Sequence, residues 1–483
     1  MSFFDRYNQV GTHFCVSNSP KFAQATCADS FKLLLWSDNI AQKHHIPINK
    51  ESANLYLSGH LSLDGIEAKA LAYSGHQFGH FNPTLGDGRA HLIGSFNDRS
   101  GQAYDLQLKG SGSTPFSRAG DGLCALGPAV REFVMSQALG ALNVPTTDCL
   151  AVVTTGEVVH RNSPLSGAVL CRVASSHIRV GSFQYLALQQ DDEGLKTLME
   201  LAITRYFPNI SEQGDARIIA FLRAVCKKQV ELVVHWMRVG FIHGVMNTDN
   251  TLVGGETIDY GPCAMLEKFD FEQVFSSIDQ HGRYAFGKQP NMASWNCARL
   301  AESMLTLFVA EQNHAIEQVS EVMVEFANDF NNQYQQMWSK KLGLLDWRES
   351  DSELLSQLLT ILQSEHLDYT NTFAALSNSM LDKPLACFKV PQSLLSWQQR
   401  WQARIKEYQA AEVSALMCSV NPAVIPRNAL MEQVIADYYQ QHKSELLSQW
   451  LPLLNNPYKY QEYEQKFLAA APDEQHYQTF CGT

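Results

Sequence analysis

Apolar residues recur along this chain with two different periods, and the change from one to the other divides it. Between residues 90 and 174, short runs that alternate or stay apolar predict strands at 90–96, 104–109, 150–157 and 168–174. A helix is predicted among them at 128–139, with Pro128 near its start and Glu132 in an early turn. From residue 217 the period becomes helical. The segment 217–239 is amphipathic and runs into Gly240, a residue suited to a helix C-cap. Further helices are predicted at 294–309, 316–338, 353–364, 397–413, 430–441 and 458–468, and 262–290 reads as a polar loop. The expected fold class is α+β. Residues 1–190 form a mixed part that begins with a weakly periodic extension over 1–60, and residues 191–483 form a mainly helical part.

Where the long helix ends, residues 243–261 read HGVMNTDNTLVGGETIDYG. Gly254-Gly255 between short β-branched runs is a two-residue hairpin signal. The ladder then pairs Thr251 with Ile258 and Asn250 with Asp259. Opposed residues have Cβ atoms roughly 4.5–5.5 Å apart, a span that one hard cation such as Mg²⁺ bridges, with substrate phosphates completing its shell. Asp249 would face another side and be available to take a proton. The plainer reading is an Asp-Asn turn before a surface hairpin. Against it, Asp259-Tyr260-Gly261 resembles the Asp-Phe-Gly of protein kinases, and Asn250 resembles the kinase Asn that holds a second Mg²⁺. The kinase pattern places its base five residues before that Asn, where this chain has Val245. Either the base has moved to Asp249 or there is none.

Composition narrows the classes. At 483 residues the chain is long enough for two or three domains; 45% hydrophobic and 18% charged residues are ordinary for a globular protein. The formal net charge of −12 argues against a nucleic-acid partner and makes any concentration of cations informative. Eleven scattered cysteines, none in C-x-x-C spacing, indicate neither a disulfide framework nor a zinc site. With no apolar run of bilayer length and no leader pattern at the start, the expectation is a cytoplasmic protein without a membrane partner.

Several cationic candidates follow. Gly86, Asp87, Gly88 and Arg89 could bring backbone and a guanidinium to a phosphate, although most such tripeptides are turns and this is not the kinase glycine loop. Lys109 ends a predicted strand and Glu132 starts the next helix, the arrangement of the kinase ion pair that positions nucleotide phosphates. Taken alone, Lys109 reads better as a solvated strand end and Glu132 as a dipole-complementing surface residue; taken with Asn250 and Asp259 the ion pair is the better reading. The Gly/Ser-rich segment 111–122 reads as a flap or second glycine loop ending in Asp121-Gly122, and Arg172 and Arg179 suit an anionic ligand. His76 and His80 have metal-pair spacing, but Gly75 and Gly79 argue against the helix that spacing requires, so a packing role is expected. A catalytic segment at the junction of a mixed part and a helical part suggests two lobes with ATP between them.

Assembled, these motifs resemble the selenoprotein O family of kinase-like proteins, known in bacteria as the YdiU family. The carriers are Tyr73-Ser74-Gly75-His76-Gln77-Phe78-Gly79, Gly86-Asp87-Gly88-Arg89, Leu106-Gln107-Leu108-Lys109-Gly110-Ser111-Gly112, Pro115-Phe116-Ser117-Arg118, Gly120-Asp121-Gly122, the stretch from His243 to Asn250, and Asp259-Tyr260-Gly261-Pro262. The resemblance implies a bilobal protein-kinase-like fold. It implies that ATP, with UTP as the alternative, binds in a flipped orientation, and that AMP or UMP passes to Ser, Thr or Tyr hydroxyls of proteins with release of pyrophosphate. It implies nucleotide binding by Gly86, Gly88, Arg89, Lys109, Asp121, Gly122, Arg172, Arg179 and Asp259. Asp249 is then the proton acceptor, Asn250 and Asp259 are ligands of Mg²⁺ or Mn²⁺, and Glu132 pairs with Lys109. The family also carries a regulatory disulfide between a C-terminal residue and a loop cysteine. This chain ends Cys481-Gly482-Thr483 and has Cys263 near the motif, but Phe275, Ser276 and Ser277 stand where the loop cysteine is expected. The competing readings are a conventional phosphotransferase and a nucleotide-binding pseudokinase scaffold, the latter favoured by Val245.

Overall fold

The computed structural model describes residues 10, 14–18, 20, 30–46, 48–61, 67–379, 390–461, 463–470 and 477–480. Among the described residues, ten strands occupy the first part: β1 (Cys15–Ser17), β2 (Leu33–Trp36), β3 (Lys69–Leu71), β4 (Gly75–Gln77), β5 (His80–Asn82), β6 (Ala90–Asn97), β7 (Ala103–Lys109), β8 (Cys124–Ala125), β9 (Asp148–His160) and β10 (Pro164–Ala174). One sheet runs β1-β3-β6-β7-β10-β9-β2, with β8 paired to β10, and its pairings are antiparallel. The four predicted strands are present, each extended by a residue or more.

Register on this sheet determines which side chains can meet. Gln107 of β7 lies opposite Arg172 of β10, and Lys109 opposite Leu170. Alternate residues of a strand share a face, so Gln107 and Lys109 point one way while Leu106 and Leu108 point the other. The apolar face of β7 joins Val169, Cys171 and Val173 of β10 in a satellite core. The polar face meets the helix Leu126–Ala141, which contains the predicted 128–139 segment.

Helices dominate from Val180 onward. Val180–Leu188, Asp192–Tyr206 and Tyr369–Ser379 have no counterpart among the predicted elements. Asp215–Val239 matches its prediction and ends on Gly240 at φ 77°, a left-handed cap. The predicted 294–309 is Gln289–Ser303 plus a single 3₁₀ turn; 316–338 is Gln312–Lys341; 353–364 is Glu349–Ser364; and 430–441 is Asn428–Gln441. The predicted 397–413 is two helices, Gln392–Ile405 and Ala410–Val420, and 458–468 reduces to Gln465–Leu468 after a separate helix at Glu445–Leu454. No helix among the described residues is long and apolar enough to cross a membrane. The largest buried cluster draws residues from both sides of position 190, from Val10 to Leu468.

The predicted hairpin at 251–258 is not formed. Gly255 N–H does close a turn onto Leu252 O at 3.0 Å, but the two flanks diverge, Leu252 bridging Arg179 and Thr257 bridging Thr146. Other chain segments supply the backbone partners: Val180 N–H donates to Thr251 O at 2.9 Å, Val253 N–H to Ile178 O at 3.1 Å, and Thr257 N–H to Pro145 O at 2.9 Å. An isolated two-stranded ribbon is marginal in water, whereas this arrangement buries Leu252, Val253 and Ile258 completely or nearly so. The glycines answer to packing: a Cβ on Gly254 would stand 2.4 Å from the Tyr206 ring, and one on Gly255 2.7 Å from Lys228 Cβ. Asn250 and Asp259 are therefore not ladder partners.

Candidate active site

Strands β11 (Phe241–Ile242) and β12 (Ala264–Met265) pair antiparallel and carry the 243–263 loop between them. His243 ties that loop together. Its Nε2 lies 2.8 Å from Ile258 O, and Val245 N–H donates to its Nδ1 at 3.3 Å. These partners define a neutral imidazole with the proton on Nε2, in keeping with the burial that pushes its pKa down. Thr248–Asn250 form a 3₁₀ turn, and Asp259 sits at φ 62°. That left-handed conformation is uncommon outside glycine, though Asp tolerates it better than most residues.

A cavity of about 690 Å³ lies against this loop. Six cationic side chains line it, Arg89, Lys109, Arg118, Arg161, Arg172 and Arg179, against four acids, Asp87, Asp121, Asp249 and Asp259. In a chain of net charge −12, this is a local positive excess of the kind that draws in an anion. Asn250, Gly86, Gly88 and Gly122 are also in its wall. Of the sequence candidates, only Glu132 lies behind the wall rather than in it.

The innermost charges form one network. Lys109 Nζ donates to Glu132 Oε2 at 2.9 Å and to Asp259 Oδ1 at 2.8 Å. Arg172 donates through Nε to Glu132 Oε1 at 2.8 Å, through Nη1 to Gln107 Oε1 at 2.9 Å, and through Nη2 to Asp259 Oδ1 at 2.9 Å. Arg179 reaches Asp87 Oδ1 at 3.3 Å and Asp259 Oδ2 at 3.7 Å, with its guanidinium 4.3 Å over the Tyr73 ring. Lys109 and Glu132 are thus a buried pair, not solvated surface charges. Burial opposes ionisation of Asp259, but Lys109, Arg172 and Arg179 outweigh it and hold the carboxyl well below its usual range. Glu132 is held down in the same way, by Arg172 and Lys109 against burial.

Asp249 is different. Burial pushes its pKa up to about 6, with Gln77 and Arg179 offsetting only part of the shift. Gln77 Nε2 donates to Oδ2 at 3.1 Å, while Oδ1 is buried and has no hydrogen-bond partner. Hydrogen bonds from β4 and its turn set the position of the loop: His76 N–H to Thr248 Oγ1 at 2.7 Å and Phe78 N–H to Asn247 Oδ1 at 3.2 Å. Gln184 accepts from Thr248 Oγ1 at 2.6 Å and lies 2.9 Å from His76 Nδ1. The expected packing role of His76 holds, since β4 and β5 form a small hairpin and not a helix.

The glycine-rich segments serve each other. A Cβ on Gly86, at φ 70°, would fall 2.3 Å from the Phe116 ring, so the 111–122 loop packs onto the Gly86–Gly88 turn. Ser117 Oγ donates to Gly88 O within the same contact. Asp121 is engaged by Arg161, whose Nη1 lies 2.6 Å from Oδ2. Sequence reasoning passed over Gln77, Asp87, Arg118, Arg161 and Asn247 as lining residues; all but Arg161 stand inside the motifs named above.

At the far end, Thr479 bridges Ser276, donates its N–H to Phe275 O at 2.8 Å, and donates Oγ1 to Pro262 O at 2.6 Å. The tail thus lies on the loop after Asp259-Tyr260-Gly261. Cys481 falls outside the described residues, and Cys263 is buried, its thiol pushed up to about 12 by desolvation.

Comparison with known proteins gives one consistent result. The family pattern described as protein adenylyltransferase SelO matches residues 3–455. A protein of Pseudoalteromonas translucida named protein nucleotidyltransferase YdiU is 50% identical over 483 residues, covering all of both chains. Proteins of the same name from Teredinibacter turnerae, 44% identical over the whole of both chains, and Syntrophotalea carbinolica, 48% identical over 88% of this chain and 86% of the other, are also similar. The chain belongs to the SelO family of protein adenylyltransferases.

Proposed function

We propose that this cleft transfers AMP from ATP to Ser, Thr or Tyr hydroxyls of protein substrates and releases pyrophosphate. The observation that carries the reading is Asp249: a buried carboxylate with one unpartnered oxygen, in the wall of a cavity where cations outnumber acids. Lys109, Arg172 and Arg179 offset the charge of the terminal phosphates at the deep end. This orientation leaves the α-phosphate toward Asp249, which orients the acceptor hydroxyl and takes its proton. Electrostatic stabilisation by the surrounding cations is the larger contribution as the P–O bond breaks. UTP is accepted by the same logic where the base contacts allow it.

The residues present fit a hard divalent cation. Asn250 Nδ2 donates to Val245 O at 3.0 Å, which leaves its amide oxygen available as a ligand in the same cavity wall as the Asp259 carboxylate. Among the described residues no group of three or more His, Cys, Asp or Glu is placed to hold a metal, so phosphate oxygens and water must fill the shell. That donor set suits Mg²⁺ or Mn²⁺, which would neutralise phosphate charge. We read residues 1–190 as the part that supplies the cations and 191–483 as the part that supplies Asp249, Asn250 and Asp259, in a kinase-like bilobal division. Protein substrates and a cytoplasmic setting, without nucleic acid or membrane, complete the proposal.

Incubating the purified protein with ATP labelled at the α- or the γ-phosphate, in a proteome lysate with Mg²⁺ or Mn²⁺, tests it. Covalent label from α alone is expected. Label from γ alone would make the protein a phosphotransferase, and binding without any turnover would make it a scaffold.

A further inference from the structure

A second groove, of about 510 Å³, adjoins the nucleotide cleft and shares Phe78 and Ile278 with it as a common wall. His80, His281, Arg283 and Lys288 line the rest, with Asp279 as the only acid in the lining. Asp279 is already engaged, since its two oxygens accept the backbone N–H groups of Arg283 at 2.9 Å and Tyr284 at 2.8 Å. Lys288 meets Glu272 at 3.1 Å, an exposed pair worth little, so a carboxylate arriving from solvent can take Glu272's place on the ammonium. The Arg283 guanidinium stacks 4.8 Å over the Trp295 ring, and its Nε is buried with no hydrogen-bond partner. The groove therefore presents donors, the Arg283 guanidinium, the Lys288 ammonium and two imidazoles, while the oxygens of the acid in its lining are already taken.

Its position matters as much as its charge. Gln77, which holds Asp249 Oδ2 at 3.1 Å, is followed directly by Phe78, whose N–H lies 3.1 Å from Tyr284 Oη and 3.2 Å from Asn247 Oδ1. The wall of the groove is thus bonded to the residues around the base. Apolar surface lies at hand too: Ile278 is 51% exposed, and Phe81, beside His80 on β5, is 43% exposed.

We propose that this groove seats the segment of the protein substrate that carries the acceptor hydroxyl, and that it selects segments with acidic side chains next to that hydroxyl. The inference rests on the adenylyl-transfer reading above. An extended peptide entering here reaches Asp249 past Phe78, with its carboxylates on Lys288, Arg283 and the histidines, and an apolar neighbour on Ile278.

The test uses the full chain, ATP labelled at the α-phosphate, and short synthetic peptides with one acceptor hydroxyl flanked by Glu or by Lys. The Glu-flanked peptide is expected to have a KM lower by about five- to tenfold at similar kcat, a preference that shrinks with salt. In the double variant His281→Glu, Lys288→Glu, the preference should disappear or reverse while the KM for ATP stays unchanged. Gain of labelling on the Lys-flanked peptide would show that this variant is folded. Equal labelling of both peptides by the wild type, or label on lysate proteins with none on the Glu-flanked peptide, overturns the docking inference and leaves adenylyl transfer standing. Competition by anionic phospholipid vesicles that the same double variant abolishes would make the groove a membrane site and overturn it as well. No label on peptide or lysate protein overturns both readings.

Discussion

A Cβ atom on Gly75 would stand 2.4 Å from Oδ1 of Asp249. The smallest possible side chain in β4 is therefore a condition for where that carboxylate lies, across 174 residues of sequence. Leu85 Cδ1 lies 2.9 Å from the same point, so an added methyl group would crowd both side chains. Gly75→Ala should displace Asp249 and leave the cations of the deep cleft alone. A misplacement of ~1 Å at the reacting centre costs about 100-fold in rate, so kcat for AMP transfer should fall on that scale with the ATP dissociation constant nearly unchanged. An equal loss of ATP affinity would show that β4 positions nucleotide rather than the base.

Asp249→Asn removes the proposed proton acceptor and keeps the volume. Loss of a positioned general base costs about 10²- to 10⁴-fold, and nucleotide binding measured by calorimetry should persist. Retained turnover would exclude Asp249 as the base.

Glu132 joins Lys109 to Arg172 and is 3% exposed. Breaking a buried pair from one side leaves an uncompensated charge and costs about 3–5 kcal/mol. Glu132→Gln should lower urea-unfolding stability by an amount in that range and weaken ATP binding as Lys109 and Arg172 lose their common anchor. Unchanged stability would mean that Asp259 alone balances both cations.

Glu256 gives a pH signature away from the reacting groups. Burial pushes its carboxyl from 4.5 up to about 7, with Ser175 donating to Oε2. The unfolded chain releases this proton at lower pH than the folded protein does. Its stabilising contribution is thus complete below 4.5 and lost as pH rises through about 7. Glu256→Gln should remove about 1–3 kcal/mol of the stability difference between about pH 5 and about pH 8. An identical pH slope in the variant would refute the assignment.

Much of this was legible in the sequence because the signals are local. The alternation at 104–109 gave the strand end of Lys109, and the Gly240 cap ended the long helix where it does end. The charged candidates converge because register and helix phase follow from that periodicity: Gln107 opposite Arg172 brings the guanidinium to the face where Glu132 waits. The hairpin failed for the opposite reason. Thr251–Ile258 looks self-complementary, but its backbone partners at 145–147 and 178–180 lie far away in sequence and leave no trace in local pattern. Arg161 was missed because its partner Asp121 comes from another loop. The helix break between Ile405 and Ala410 has no glycine or proline to announce it.

Asp259 has one further consequence. Lys109, Arg172 and Arg179 all converge on its carboxylate, so the charge that would hold a divalent cation is already spoken for. If Asp259 holds the proposed cation, a cation arriving alone would meet three positive groups, and a nucleotide arriving alone would draw those groups away and leave its phosphates facing Asp259. Each ligand would then remove the obstacle to the other, making their binding a linked equilibrium. Reciprocity then requires that the factor by which metal tightens ATP equal the factor by which ATP tightens metal. On the proposed reading, occupancy of the cleft would track the concentration of the metal–nucleotide complex, and a fall in free divalent cation would silence transfer even where ATP is abundant.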